Sequence, residues 1–131
     1  MNYLKPELKE KLQDMSVLGL AHVGDAVYEL MIRTWLCSLG GVTAKKLHLD
    51  TVKHVSAKAQ AVKMGKILPL LSDEEHAIYK RGRNAHVNNV PRGSTIEEYH
   101  AATGLETLIG YLYLSGNTNR LGELFDVISK T

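Results

Sequence analysis

The chain has 131 residues, 44% of them hydrophobic and 23% charged, with three prolines, one phenylalanine and one cysteine. This length suits one domain over residues 1–131, and the apolar share is ordinary for a globular protein that buries a core. The formal net charge of +2 neither announces nor excludes a nucleic-acid binder, because the placement of the charge matters more than its sum.

The opening residues, Met1 to Lys11, mix lysines and glutamates and hold no apolar segment, so no secretory signal is expected. Pro6 suits a first helical turn, with Glu7 and Glu10 near its positive end, and this short helix is expected to end near Asp14. Ser16 can cap a longer second helix, on which Val17, Leu20, Gly24, Val27, Met31 and Trp35 recur at three- and four-residue steps until Gly40-Gly41. Cys37 falls inside that pattern and reads as a small buried residue, since one thiol can form neither an internal disulfide nor a zinc site. Thr43 can cap a third helix with Leu47, Val52, Val55, Ala59 and Val62 on its apolar side and Gly65 near its end, while Lys45, Lys46, Lys53, Lys58 and Lys63 keep the other side basic. Pro69 breaks the chain. Ser72 with Glu75 then forms a capping box for a fourth helix running into Lys80-Arg81-Gly82-Arg83. The stretch from Asn84 to Gly93 is the longest loop signal. Ser94 with Glu97 repeats the capping box, and the fifth helix reaches about Leu114 with Ala101, Leu105, Leu108, Ile109 and Leu112 buried. Asn117 or Thr118 caps the last helix, which carries Leu121, Leu124, Phe125 and Ile128. No strand-period segment, internal repeat or low-complexity tract interrupts this order, so the fold class is all-α, with about six helices. No uncharged apolar run approaches the ~18 residues of a membrane span. The expected setting is the cytoplasm.

Two acids sit awkwardly in this scheme. Gly24-Asp25-Ala26 lies in an apolar part of the second helix, and Leu105-Glu106-Thr107-Leu108-Ile109-Gly110 in an apolar part of the fifth. Aspartate is a poor helix-interior residue, and an unpaired buried carboxylate is costly. If the two helices cross near Gly24 and Gly110, the carboxylates can share a hard cation such as Mg²⁺, which takes oxygen ligands and keeps several waters. A metal held in this way generates hydroxide and neutralises a phosphate during hydrolysis. The plainer reading is two unrelated acids facing solvent or salt-bridged.

The surrounding residues carry a resemblance. Val23-Gly24-Asp25-Ala26-Val27 resembles the Leu-Gly-Asp-Ala/Ser-Val/Ile core of the ribonuclease III signature helix. The segment from Ala102 to Leu114 resembles that family's second acidic helix, Ala-Asp-x-x-Glu-Ala-x-Ile-Gly-Ala-Ile-Tyr-Leu, in the same order and at a fitting separation. The match extends from about Leu18 to Leu124 and is strongest to the short subfamily called Mini-ribonuclease III, which has the catalytic domain alone. The resemblance implies a ribonuclease III-type helical fold and a homodimer that binds double-stranded RNA between its subunits. It also implies Mg²⁺-dependent cleavage leaving 5′-phosphate and 3′-hydroxyl ends, with Mn²⁺ as a substitute metal. The substrate implied is the 23S ribosomal RNA precursor, with a ribosomal protein as a helper. By position, Asp25 and Glu106 become the catalytic residues and the metal ligands.

Two departures from the family stand out. The larger family has glutamates seven and four residues before the aspartate, and an aspartate three residues before the later glutamate. Here those places hold Leu18, Ala21 and Thr103. Thr103 can still offer a hydroxyl or hold a metal-bound water, and Glu29 can assist or pair with Arg33. The longer members also append an RNA-binding domain, for which the residues after Gly116 are too few, so this domain must grip RNA itself. Arg81, Arg83, Asn84, His86 and Arg92 are the candidates, since arginine forks suit phosphates while Asn and His reach 2′-hydroxyls. His22 and His100 lie near the acids in sequence without metal spacing.

Two rivals remain. One is a decayed, RNA-binding or ribosome-associated domain, suggested by the missing acids. The other is an all-α nucleoside triphosphate pyrophosphohydrolase, for which Glu7-Leu8-Lys9-Glu10 and Glu123-Leu124-Phe125-Asp126 stand too far apart in sequence.

Overall fold

A computed structural model describes residues 1–85, 90 and 92–130. Among these residues the elements are helical throughout. A 3-10 turn at Lys9–Asp14 precedes α1 (Val17–Ser38), α2 (Ala44–Val55) and α3 (Ala57–Ile67); a second 3-10 turn at Leu68–Leu70 precedes α4 (Asp73–Arg83), α5 (Ile96–Leu114) and α6 (Thr118–Ser129).

The fold is organised around α5. From Ala102 to Leu114 most of its side chains are buried, because the segment is apolar on nearly every face. It packs against α1, α3, α4 and α6, and the first 3-10 turn touches its end. The centre of the core is made of Tyr28 and Ile32 from α1, Met64 and Ile67 from α3, Leu105, Leu108 and Leu112 from α5, and Ile128 from α6.

Side-chain caps fix where the helices begin. The Ser16 hydroxyl accepts from the Gly19 N–H, Thr43 from Lys46, and Ser72 from Glu75, whose carboxylate accepts in return from the Ser72 N–H. Glu75 also ties α4 to α6. Arg120 donates through Nε to its Oε2 at 2.8 Å and through Nη2 to its Oε1 at 2.9 Å, a forked pair on a carboxylate that is otherwise buried.

Several sequence expectations are corrected. The opening helix is a 3-10 turn starting at Lys9, and Pro6 lies buried ahead of it. The expected third helix is two helices. Ser56 is extended (φ −62°, ψ 154°), ends α2, and caps α3 by accepting from the Ala59 N–H at 3.2 Å. That corner turns the second half of the segment: Val62 is exposed, while Gln60 and Lys63 are buried; Val52, ahead of the corner, is exposed as well. The Lys63 ammonium donates to the Ile128 carbonyl at the end of α6, a partner invisible from local pattern. The capping box of α5 is one residue later than expected, on Thr95 and Glu98 instead of Ser94 and Glu97. Ala101 is half-buried and its neighbour Ala102 takes the core position. Cys37 is exposed in the last turn of α1.

Candidate active site

The site is built on the crossing of α1 and α5. A Cβ placed on Gly24 would lie 1.6 Å from the Glu106 carbonyl oxygen, and one on Gly110 would lie 2.0 Å from that of Leu20. Only hydrogen fits at either place, so the two backbones touch and the residues flanking them are brought together. Asp25 follows Gly24, and Glu106 precedes Gly110 by about one turn. Their carboxyl groups stand within hydrogen-bonding reach of one another.

The pair is asymmetric. Asp25 is exposed, whereas Glu106 is half-buried, so the apolar setting read for Asp25 holds for its helix neighbours and not for its own side chain. Burial, and then the charge of Asp25 beside it, push the Glu106 carboxyl up to about 8. The Gln60 amide works the other way, donating from Nε2 to Glu106 Oε2 at 3.4 Å. The Tyr28 hydroxyl is buried nearby and donates to the His54 carbonyl at 2.7 Å; burial first and the Glu106 charge second push its ionisation well above the ordinary tyrosine range.

The remaining family positions hold no further acid. Leu18 is exposed, Ala21 is buried, and Thr103 is buried with its hydroxyl donated to the Tyr99 carbonyl at 3.0 Å. Glu29 pairs with Arg33 at 2.9 Å. His22 is exposed and His100 half-buried. Among the described residues no group of three or more His, Cys, Asp and Glu is placed to hold a metal.

The donors present nonetheless fit a hard divalent cation. The two carboxylates repel one another, and that is a repulsion a cation relieves. Beside them the Gln60 Oε1 is buried and has no hydrogen-bond partner among the described residues, an acceptor suited to a hydrated ion's water. An all-oxygen set with few protein ligands is what Mg²⁺ takes.

The basic end of α4 lies against the same stretch of α5. A Cβ on Gly82 would meet the Thr107 Oγ1 at 2.3 Å, and one on Gly104 would meet the Tyr79 ring at 2.5 Å. These contacts set Lys80-Arg81-Gly82-Arg83 one helix away from Glu106. Arg81, Arg83, Asn84 and Arg92 are exposed. Arg83 lies over the Tyr79 ring at 5.8 Å and donates to the Asn84 side-chain carbonyl at 3.4 Å. His86 lies outside the described residues.

Gln60 and Tyr28 escaped the sequence reading. The available signal for Gln60 was its place on the stripe Gln60, Lys63, Met64, Ile67, where a polar residue interrupts an apolar helical period.

Comparison with known proteins shows the family. The Ribonuclease III domain matches residues 18–117, which include both acids. A Mini-ribonuclease 3 of Thermoanaerobacter is 45% identical over 91% of this chain and 84% of its own. One from Clostridium tetani is 42% identical over 92% of this chain and 80% of its own. One from Enterococcus faecalis is 43% identical over 87% and 88%. The crystal structure of a Fusobacterium nucleatum protein superposes with a TM-score of 0.84 at 33% identity, covering 92% of this chain and 96% of that one. With the acids on crossing helices and the match running through both, the chain belongs to the ribonuclease III family, in its Mini-ribonuclease 3 group, and is an endoribonuclease.

Proposed function

We propose that the protein is a Mg²⁺-dependent endoribonuclease that cuts double-stranded RNA at Asp25 and Glu106 and matures the ends of the 23S ribosomal RNA precursor. The observation that carries this reading is the carboxylate pair itself. Two acids held together at a glycine crossing, one pushed up to about 8, are an arrangement that folding alone disfavours.

Asp25 and Glu106 would hold the cation, with Mn²⁺ able to replace Mg²⁺. When bound, it supplies a water acidic enough to attack a phosphodiester near neutral pH and offsets the charge that develops on the phosphate. The chain's own parts divide the remaining work. Asp25, exposed, faces an arriving RNA backbone. Glu106, half-buried, forms the floor. Arg81, Arg83, Asn84 and Arg92, with His86 beside them in sequence, grip the duplex through its phosphates and 2′-hydroxyls. The products carry 5′-phosphate and 3′-hydroxyl ends. Two copies acting as a homodimer place one site on each strand, and a ribosomal protein presents the precursor. The work is done in the cytoplasm; no helix among the described residues is long and apolar enough to cross a membrane.

The absence of further acids at Leu18, Ala21 and Thr103 favours a second reading, a decayed RNA-binding domain. The cost of keeping Asp25 beside Glu106 weighs against it. The deciding assay is cleavage of a long RNA duplex with Mg²⁺ against EDTA. Cutting is expected with Mg²⁺ only, and Asp25→Asn abolishes it while duplex binding and a mass of twice the chain persist. Equal cutting by Asp25→Asn would remove the mechanism; binding without cutting by the unaltered protein would favour the decayed domain.

A further inference from the structure

The corner between α2 and α3 bears directly on Glu106. Because Ser56 is extended, the helical ladder breaks and the last carbonyls of α2 lose their in-helix donors. Two side chains from the core take them. The Tyr28 hydroxyl donates to the His54 carbonyl at 2.7 Å, and the Gln60 Nε2 donates to the Val55 carbonyl at 3.0 Å. A primary amide carries two hydrogens. The corner uses one of Gln60's, and the other lies on Glu106 Oε2 at 3.4 Å.

Packing alone does not ask for this residue. Gln60 is 2% exposed and shares its stripe with Met64 and Ile67, both buried, so an apolar side chain of similar size would fill the space. An amide there brings a desolvation cost that only its bonds offset, and one of its atoms, Oε1, remains without a partner among the described residues. What the amide adds is a tether. A carboxylate rotates almost freely about its terminal bond. Bonding Oε2 to an amide that is itself fixed to backbone removes that freedom.

We propose that Gln60 is a positioning residue: its amide locks the Glu106 carboxylate to the α2–α3 corner and sets the orientation in which Asp25 and Glu106 together take a divalent cation. The inference rests on the metal-site reading above. It gives a neutral amide a part in a site where Leu18, Ala21 and Thr103 stand at the larger family's additional acidic positions. The amide donor also favours the charged form of Glu106, against burial and the Asp25 charge.

The test is Mn²⁺ binding to the RNA-free protein, read from the electron paramagnetic resonance signal of free Mn²⁺. Gln60→Met keeps the volume and loses both donors. Gln60→Asn keeps the amide but is one methylene too short to reach Glu106, so it serves if the first variant fails to fold. Asp25→Asn is titrated in parallel. In folded Gln60 variants, Mn²⁺ affinity is expected to fall about 10- to 100-fold. The Mg²⁺ needed for half-maximal duplex cleavage should rise by the same factor, with KM for RNA unchanged. Unaltered Mn²⁺ affinity in Gln60 variants, with weakened binding in Asp25→Asn, overturns the inference and leaves the metal site standing. Unaltered affinity in all three overturns both. Lost cleavage that added Mg²⁺ does not restore also overturns it, since that marks Gln60 as structural only.

Discussion

Gly24→Ala is the sharpest structural perturbation of the site. The new methyl carbon would lie 1.6 Å from the Glu106 carbonyl oxygen, 2.6 Å from its carbonyl carbon and 2.8 Å from the Gly110 nitrogen. Ordinary contact begins near ~3.5 Å, so α1 and α5 must separate by roughly 2 Å at their crossing. These three nearest atoms are all backbone, which does not yield as the end of a flexible side chain would. Overpacking typically costs about 1–3 kcal/mol. Here the separation also loosens Leu20, Tyr28, Leu105 and Leu108 around the crossing, so a loss of about 3–5 kcal/mol is expected. For a chain of this size that lowers Tm by ~10 °C or more at fixed protein concentration. The separation also pulls Asp25 from Glu106, so cleavage should fall even at temperatures where the variant stays folded. Thermal melts with a cleavage assay at 20 °C below each variant's own Tm separate the two effects. A variant within about 1 kcal/mol of the parent, with normal cleavage, would refute the close crossing.

Three further outcomes follow from the same geometry. Glu106 is held at about 8 against an ordinary 4.5, so the folded state binds its proton more tightly than the unfolded state does. Stability of the metal-free protein should therefore fall as pH rises from about 4.5 to about 8 and level off above. Glu106→Gln should remove this slope, gaining about 1–3 kcal/mol at pH 8.5 and almost nothing at pH 4, as read by urea denaturation; an equal gain at both pH values would refute the charge repulsion. Metal affinity should climb across the same window as the proton is displaced, which calorimetry in buffers of different ionisation enthalpy detects as proton release. Arg81→Ala with Arg83→Ala should weaken duplex binding and reduce the slope of log K against log salt by about 1–2, and an unchanged slope would take the end of α4 out of the interface.

Much of this site is legible in the sequence because its determinants are local. Ser16, Thr43 and Ser72 mark helix starts through their own side chains, and the apolar period carries α1 and α5 between their ends. Gly24 and Gly110 flag the crossing, since each is an unfavourable residue in a helix interior unless something must come close. The break at Ser56 was not legible. It has no glycine or proline, and the serine acts there as a cap for α3 within a segment whose composition remains helical on both sides. The second half of that segment turned with it, including the burial of Gln60 and Lys63. Ser94 and Thr95 both precede a glutamate by three residues, so only tertiary placement chose Thr95. Asp25 reads as buried from its neighbours because the helix period does not say which way the position beside a crossing faces.

The central claim is that Asp25 and Glu106 act as one unit. A double-mutant cycle on Mg²⁺-dependent cleavage of an RNA duplex tests it most directly, using Asp25→Asn, Glu106→Gln and the two combined, with duplex binding checked for each. If the carboxylates serve a single site, either substitution alone should abolish nearly all activity, and the double variant should lose little more than the worse single one. Independent, multiplicative losses, or substantial activity in either single variant, would contradict the account.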